Sequence, residues 1–226
     1  MKILGIETST EVGSVALVEA GRLVAQADID TYLSHSSRLI PILNSILKKA
    51  GWGVGELEGV GVGLGPGSFT GIRVGLASAQ GIAFGNSIPL VGIGSFAALV
   101  RGSSFSEGMV SPLLRSRRGQ IYGARYRKKD DKMEELSPPE IIAPARLGEL
   151  CHNAWIVSPQ WEELQSRLEV VFGDAGIIGG EKIFPRARWV AILAERRLRE
   201  NPAGEIKTAT PIYLSNYLAS GSKLTK

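Results

Sequence analysis

The sequence predicts an α/β protein made of two halves with a similar order of elements. Three observations carry that expectation. Residues 1–102 alternate short apolar runs with amphipathic or small-residue helical patterns. Between Glu58 and Arg101 the only charged side chain is Arg73, and this span reads as strand, turn, close-packed helix and strand. Residues 103–226 then pass through a comparable series with less regularity, as expected of an internally duplicated unit. The expected domains are therefore 1–102 and a smaller 103–226, with Ser103-Ser104-Phe105-Ser106 as the junction.

In order, Lys2 to Glu7 is an apolar strand and Thr8-Ser9-Thr10 with Gly13 forms a polar turn. Ser14 to Glu19 returns with alternation, Ala20-Gly21 turns, and Leu23 to Ile29 makes a third strand. Ser34 to Ser37 offer caps for a helix whose apolar face is Leu39, Leu43, Ile46, Leu47 and Ala50. Pro41 is expected in its first turn, Lys48 and Lys49 suit its last turn, and Gly51 ends it. Val60, Val62 and Leu64 form a glycine-spaced strand, which turns through Gly65-Pro66-Gly67. Ser68 or Thr70 caps the next helix, and Pro89 to Ile93 re-enters as a strand before a short helix from Ser95.

The second half offers strands at Val110–Leu114, Gly119–Arg127 and Lys132–Leu136, with Pro138-Pro139 in a loop. Ala145 to Cys151 reads as a short helix, 155–157 as a strand and Glu162 to Leu168 as a helical turn or two. Glu169 to Phe172 reads as a last strand, followed by a loop at Gly173, Gly176 and Gly179-Gly180. The longest helix runs from Arg186 to Glu200, with Ala187, Val190, Ala191, Ala194 and Leu198 inward and Asn201-Pro202 as its stop. Tyr213, Leu214, Tyr217 and Leu218 are placed to dock back on the body.

Composition narrows the function classes. The chain is 44% hydrophobic and 21% charged over 226 residues, enough to bury a core without covalent staples. Gln80, Asn86, Pro89 and the glycines interrupt the charge-free span before about twenty apolar residues accumulate, which argues against a membrane helix. Cys151 is the only cysteine, so no intrachain disulfide forms, and a buried small hydrophobe is the expected role. Glu7 interrupts the first apolar run before a signal-peptide core develops, so a cytoplasmic location is expected. The net charge of +4 gathers in 115–118, 125–129 and 186–199. That suits solvated faces or an RNA-handling neighbourhood, without the interleaved aromatics of a stacking platform.

Two constellations have chemical content. The turn Glu7, Thr8, Ser9 and Thr10, with Gly65, Pro66, Gly67 and Ser68 at a helix start, is the place where a phosphate or nucleotide would lie. The glycines do not fit the dinucleotide fingerprint, and no lysine completes a Walker A loop. Their plainer role is a tight turn. Small residues at Gly71, Gly75, Ser78 and Ala79 let another backbone approach, from this chain or from another protein, and Ile42 adds apolar surface on the preceding helix. His35 and His152 have no metal-site spacing, so no metal ligand and no catalytic residue is assigned.

The segments ILGIETSTEVGSVAL, SHSSRLIPILNSILKKAG, GVGVGLGPGSFTGIRVGLASAQGIA and PLLRSRRGQIY resemble the TsaB (YeaZ) family, densely over residues 1 to about 100 and more thinly beyond. The resemblance implies a duplicated fold of the actin/Hsp70/sugar-kinase (ribonuclease H-like) type with a shortened second domain. It implies a noncatalytic partner of a TsaD-like subunit in making threonylcarbamoyladenosine in tRNA, joined by a TsaE-like ATPase. The chain would form a homodimer when alone, with ATP or ADP bound only weakly or through the assembled complex, and tRNA met indirectly. Ile42, Ile46, Gly71, Gly75, Ser78 and Ala79 are the expected partner contacts. TsaD-like relatives carry a His-x-x-x-His metal pair after the strand that follows the glycine-rich helix. The matching positions here are Ser95 and Leu99, and leucine cannot ligate a metal. Arg115 and Ser215 depart from the family's usual aspartate and arginine. The competing reading is a small ATP-dependent phosphotransferase or ATPase of the same fold; a metalloprotease reading lacks its histidines.

Overall fold

The computed structural model describes residues 1–30, 35–116, 119–172, 177–202, 204 and 209–214. The first half contains β1 (Lys2–Glu7), β2 (Val12–Glu19), β3 (Arg22–Asp30), α1 (His35–Ala50), β4 (Gly59–Gly63), α2 (Phe69–Gly85), β5 (Leu90–Ile93) and α3 (Ser95–Gly102). The second contains β6 (Glu107–Arg115), β7 (Ile121–Lys129), β8 (Lys132–Ile142), α4 (Leu147–Cys151), β9 (Ala154–Ser158), α5 (Trp161–Phe172), β10 (Ile177–Lys182) and α6 (Ala187–Glu200). One sheet has the order β3-β2-β1-β4-β5 and the other, read the same way, β8-β7-β6-β9-β10. In both, the first three strands pair antiparallel and the last two join in parallel. The two sheets are thus copies of one topology, and the chain has the duplicated actin-like α/β fold.

The layers follow from which faces are apolar. α1 and α2 cover one face of the first sheet, where Leu39, Leu43, Ile46 and Ala79 meet Leu4, Ile6, Leu17 and Val62. α6 covers the opposite face, with Val190, Ala191, Ala194 and Leu198 against Ile3, Val18, Val91 and Ile93. α3 packs beside α6 and turns Phe96, Leu99 and Val100 towards Val110, Tyr122 and Val157 of the second sheet. α4 and α5 lie on the outer face of that sheet.

The glycine spacing of β4 has a steric cause. Strand residues alternate faces, so Val60 and Val62 enter the first core while Gly59 and Gly61 face α6. A Cβ at Gly61 would stand 2.7 Å from that of Ala194, and one at Gly5 would stand 2.9 Å from that of Ala191. Bare strands against an alanine-lined helix let the layers approach closely. α6, from the second half of the chain, therefore lies on the first half's sheet.

Several local expectations change. α1 begins at His35, so Pro41 lies inside it, past its first turn. β8 continues through Pro138-Pro139 to Ile142, because it is an edge strand and a missing N–H there need not interrupt a ladder. Residues 169–172 extend α5, and the strand lies at β10 instead; short apolar runs do not separate helix from strand by period alone. Tyr213 and Leu214 dock on the body as expected. Ser34, Gly173, Gly176, Ser215, Tyr217, Leu218 and the side chain of His35 lie outside the described residues. Among the described residues no helix is long and apolar enough to cross a membrane.

Candidate functional site

The end of β1, the turn from β4 into α2 and the start of α3 converge on Glu7, which has 0% exposure. Ser9 N–H donates to Glu7 Oε1 (2.7 Å) and the Ser95 hydroxyl donates to Oε2 (2.9 Å). Ser95 Oγ in turn accepts from Gly65 N–H (3.1 Å), and Ser95 N–H donates to Gly65 O (2.7 Å). Gly63 leaves the space that the carboxyl occupies. Burial pushes the Glu7 carboxyl above the ordinary range, against the donors at Ser9, Ser95 and Thr8 that hold it down.

The structure brings together the hydroxyl turn and the Gly65-Pro66-Gly67 turn, as the sequence suggested. Ser68 N–H donates to Ser9 O (2.7 Å), and Gly67 lies directly against Ser9. Ser68 caps α2 by accepting from Gly71 N–H (3.2 Å). The Thr8 hydroxyl donates to Gly71 O (2.7 Å), and that of Thr10 donates to Val12 O (3.1 Å). The Thr8 and Thr10 hydroxyls and the Ser9, Gly65, Ser68 and Gly71 N–H groups are therefore engaged within the chain, beside the buried Glu7 carboxyl. The arrangement ties three elements together.

The small-residue stripe of α2 divides between two faces. Gly71 and Gly75 face Thr8 of the same chain, while Ala79 and Ile46 are buried in the first core. These four expected partner contacts serve the chain's own packing. The outward face instead carries Thr70, Arg73, Ala77, Gly81 and Phe84, with Ser78 partly buried beside them. Phe84 is 77% exposed, and nothing lies within 4 Å of a Cβ built on Gly81. On α1, Ile40 is exposed and Ile42 is partly buried. The spacing of Ala77 and Gly81 was available in the sequence; which stripe faces inward is set by Thr8, nearly seventy residues away.

At the start of α2, Phe69 and Tyr213 stack with centroids 4.8 Å apart. Arg73 lies over the Phe69 ring at 3.8 Å, and its Nε donates to the Tyr213 hydroxyl (3.0 Å). Ile212 N–H, one residue earlier, donates to Leu64 O (2.8 Å), so the C-terminal strap is laced to the end of β4.

Second-half features are mainly structural. Gln160 Nε2 reaches both carboxylate oxygens of Glu11 at 3.4 Å, and its Oε1 accepts from Arg115 N–H (3.3 Å), joining the hairpin turns of the two halves. The side chain of Arg115 pairs with Glu163. Leu99, at the second position where TsaD-like relatives have histidine, is buried in a hydrophobic cluster. Cys151 is buried, and burial raises its thiol to about 12, as suits a packed hydrophobe. Among the described residues no three His, Cys, Asp or Glu side chains gather as a metal site. An apolar cavity of about 650 Å³ lies between β8, α4 and α5, lined by Ile121, Ile142, Leu147 and Leu164.

A family model described as TsaD, tRNA N6-adenosine threonylcarbamoyltransferase, matches residues 30–173. The chain is 29% identical to the tRNA threonylcarbamoyladenosine biosynthesis protein TsaB of Escherichia coli, with 97% of this chain and 96% of that protein covered. It is also 29% identical to TsaB of Bacillus subtilis, over 95% and 94% of the two chains. A tRNA N6-adenosine threonylcarbamoyltransferase of Nitratidesulfovibrio vulgaris is 36% identical, covering 50% of this chain and 36% of that one. Among solved structures, YeaZ from Pseudomonas aeruginosa superposes with a TM-score of 0.80 at 23% identity, over 94% of this chain and 99% of that chain.

Proposed function

Because this chain belongs to the TsaD family, on its TsaB/YeaZ branch, we propose that it serves threonylcarbamoyladenosine biosynthesis as a noncatalytic subunit that binds and supports a TsaD-like transferase. The observation that carries the reading is the fate of the two positions where TsaD-like relatives have a metal pair. Ser95 holds Glu7 and Gly65 together, and Leu99 is core. A group occupied in tying the turns together has replaced one ligand, and a hydrocarbon has replaced the other.

The partner surface is the outward face of α2 with the adjoining face of α1: Ile42, Ala77, Ser78, Gly81 and Phe84. Its small residues admit a second helix at close range, and its exposed phenylalanine has no cover among the described residues. In isolation the same face pairs with a second copy. A TsaE-like ATPase joins through the complex, tRNA meets this subunit indirectly, and ATP or ADP binds it weakly if separated from its partners. The setting is cytoplasmic.

The test is co-purification with the TsaD-like subunit of the same organism, with and without ATP, followed by reconstituted tRNA modification. Association, with modification only when both subunits are present, is the expected result. Threonylcarbamoylation by this chain alone, or failure to associate under either condition, overturns the proposal.

A further inference from the structure

Arg73 is the one charged residue on the outward face of α2, and the one charge between Glu58 and Arg101. Its position does nothing for the helix: it stands near the N-terminal end, where the dipole disfavours a cation, and no acidic residue occupies the first turn. Its direction is nevertheless fixed. The guanidinium lies on Phe69, and the Tyr213 hydroxyl takes Nε, so two aromatic groups from distant parts of the chain frame an exposed fork. Its terminal nitrogens have no hydrogen bond among the described residues. Beyond it along the helix come Ala77 and Gly81, and then Phe84 roughly 16 Å away at 1.5 Å per residue.

We propose that Arg73 is an anchor of the partner surface, receiving a carboxylate side chain from the partner protein while Phe84 supplies an apolar anchor at the other end. This rests on the partner reading given above. Charge complementarity selects the occupant. An isolated, pre-oriented guanidinium in an otherwise uncharged stripe suits one bidentate carboxylate. A nucleic acid would call for several cations along one track; the outward face of α2 has one, and Arg38 and Lys49 stand on α1 beside Ile42. Arginine and aromatic residues at the two ends of a small-residue stripe are also the composition of an interface hot spot.

The experiment measures affinity for the TsaD-like subunit by calorimetry at about 50 mM and about 300 mM salt, where screening differs strongly. Wild type, Arg73→Gln, Tyr213→Phe and Gly81→Leu are compared, with a melting temperature for each. Arg73→Gln is expected to weaken binding roughly ten- to a hundredfold and to abolish most of the salt dependence, at unchanged melting temperature. Tyr213→Phe keeps the ring but frees Nε, and loses only a few-fold. If Arg73→Gln binds like wild type while Gly81→Leu does not bind, the surface stands and the anchor falls. A melting temperature that drops in step with affinity reduces Arg73 to a staple for the strap and also overturns the proposal. If wild type itself does not bind, the functional reading fails, and this inference fails with it.

Discussion

Gly75 and Gly81 lie in the same helix, six residues apart, and replacing each by alanine should move stability in opposite directions. In an exposed helix interior, glycine to alanine is worth about 1 kcal/mol from backbone propensity. At Gly81 nothing lies within 4 Å of the new Cβ, so the gain is realised in full. At Gly75 the same Cβ meets Thr8 Oγ1 head on, with Thr8 Cβ at 3.5 Å and Ile6 Cγ2 at 3.6 Å. Thr8 must turn away and give up its 2.7 Å bond to Gly71 O, about 1 kcal/mol, and overpacking a tight contact adds about 1–3 kcal/mol. Set against the helix gain, the net loss is about 1–3 kcal/mol. For a chain of this size each kcal/mol corresponds to about 2–4 °C. Thermal unfolding followed by circular dichroism should therefore show Gly75→Ala roughly 2–12 °C below wild type and Gly81→Ala about 2–4 °C above it. If Gly75→Ala raises the melting temperature as Gly81→Ala does, the inward assignment of the Gly71–Gly75 stripe is wrong.

Other consequences are equally direct. Glu7 has a raised carboxyl in the folded chain, so the folded state binds its proton more tightly than the unfolded state does. Its favourable contribution is complete below the ordinary value of 4.5 and is lost as pH rises through the folded value; urea midpoints of wild type relative to Glu7→Gln should fall over that window, and a pH-independent difference would contradict the buried carboxyl. Cys151, with its thiol raised to about 12, should resist iodoacetamide at pH about 8 in the native protein and react once unfolded, and rapid native labelling would show it exposed. Ala79→Leu enlarges a fully buried side chain in the first core, so its melting temperature should fall before any partner is added; an unchanged value would return Ala79 to the surface.

Legibility in the sequence followed the range of the interactions. β1, β2, β4 and α2 could be read because period, caps and turn residues are local, and Ser68 does cap the helix that it was expected to cap. β8 could not be followed through its prolines, since their tolerance depends on the strand being at an edge, which only the assembled sheet decides. The inner face of α6 was visible in its alanines and valines, but its destination was not; the glycines at 5 and 61 that receive it lie more than a hundred residues earlier. The grouping of the two turns was legible, whereas their convergence on a buried Glu7 and their use of one another's donors were not, because these depend on angles no spacing encodes. The aromatic frame around Arg73 joins residues 140 positions apart, and only the lone charge marked the place beforehand.

The crossing of α6 onto the first sheet has a consequence for the chain as it leaves the ribosome. β5 completes that sheet at Ile93, yet the helix that shields its second face is synthesised roughly a hundred residues later. At about 5–20 residues per second, Ile3, Val18, Val91 and Ile93 wait about 5–20 s for their cover. During that interval the nascent chain presents a half-dressed sheet to whatever binds apolar strands. Release before Ala187 should leave a product whose first sheet is bare on one face, so the earliest part of the protein to be made is among the last to become secure.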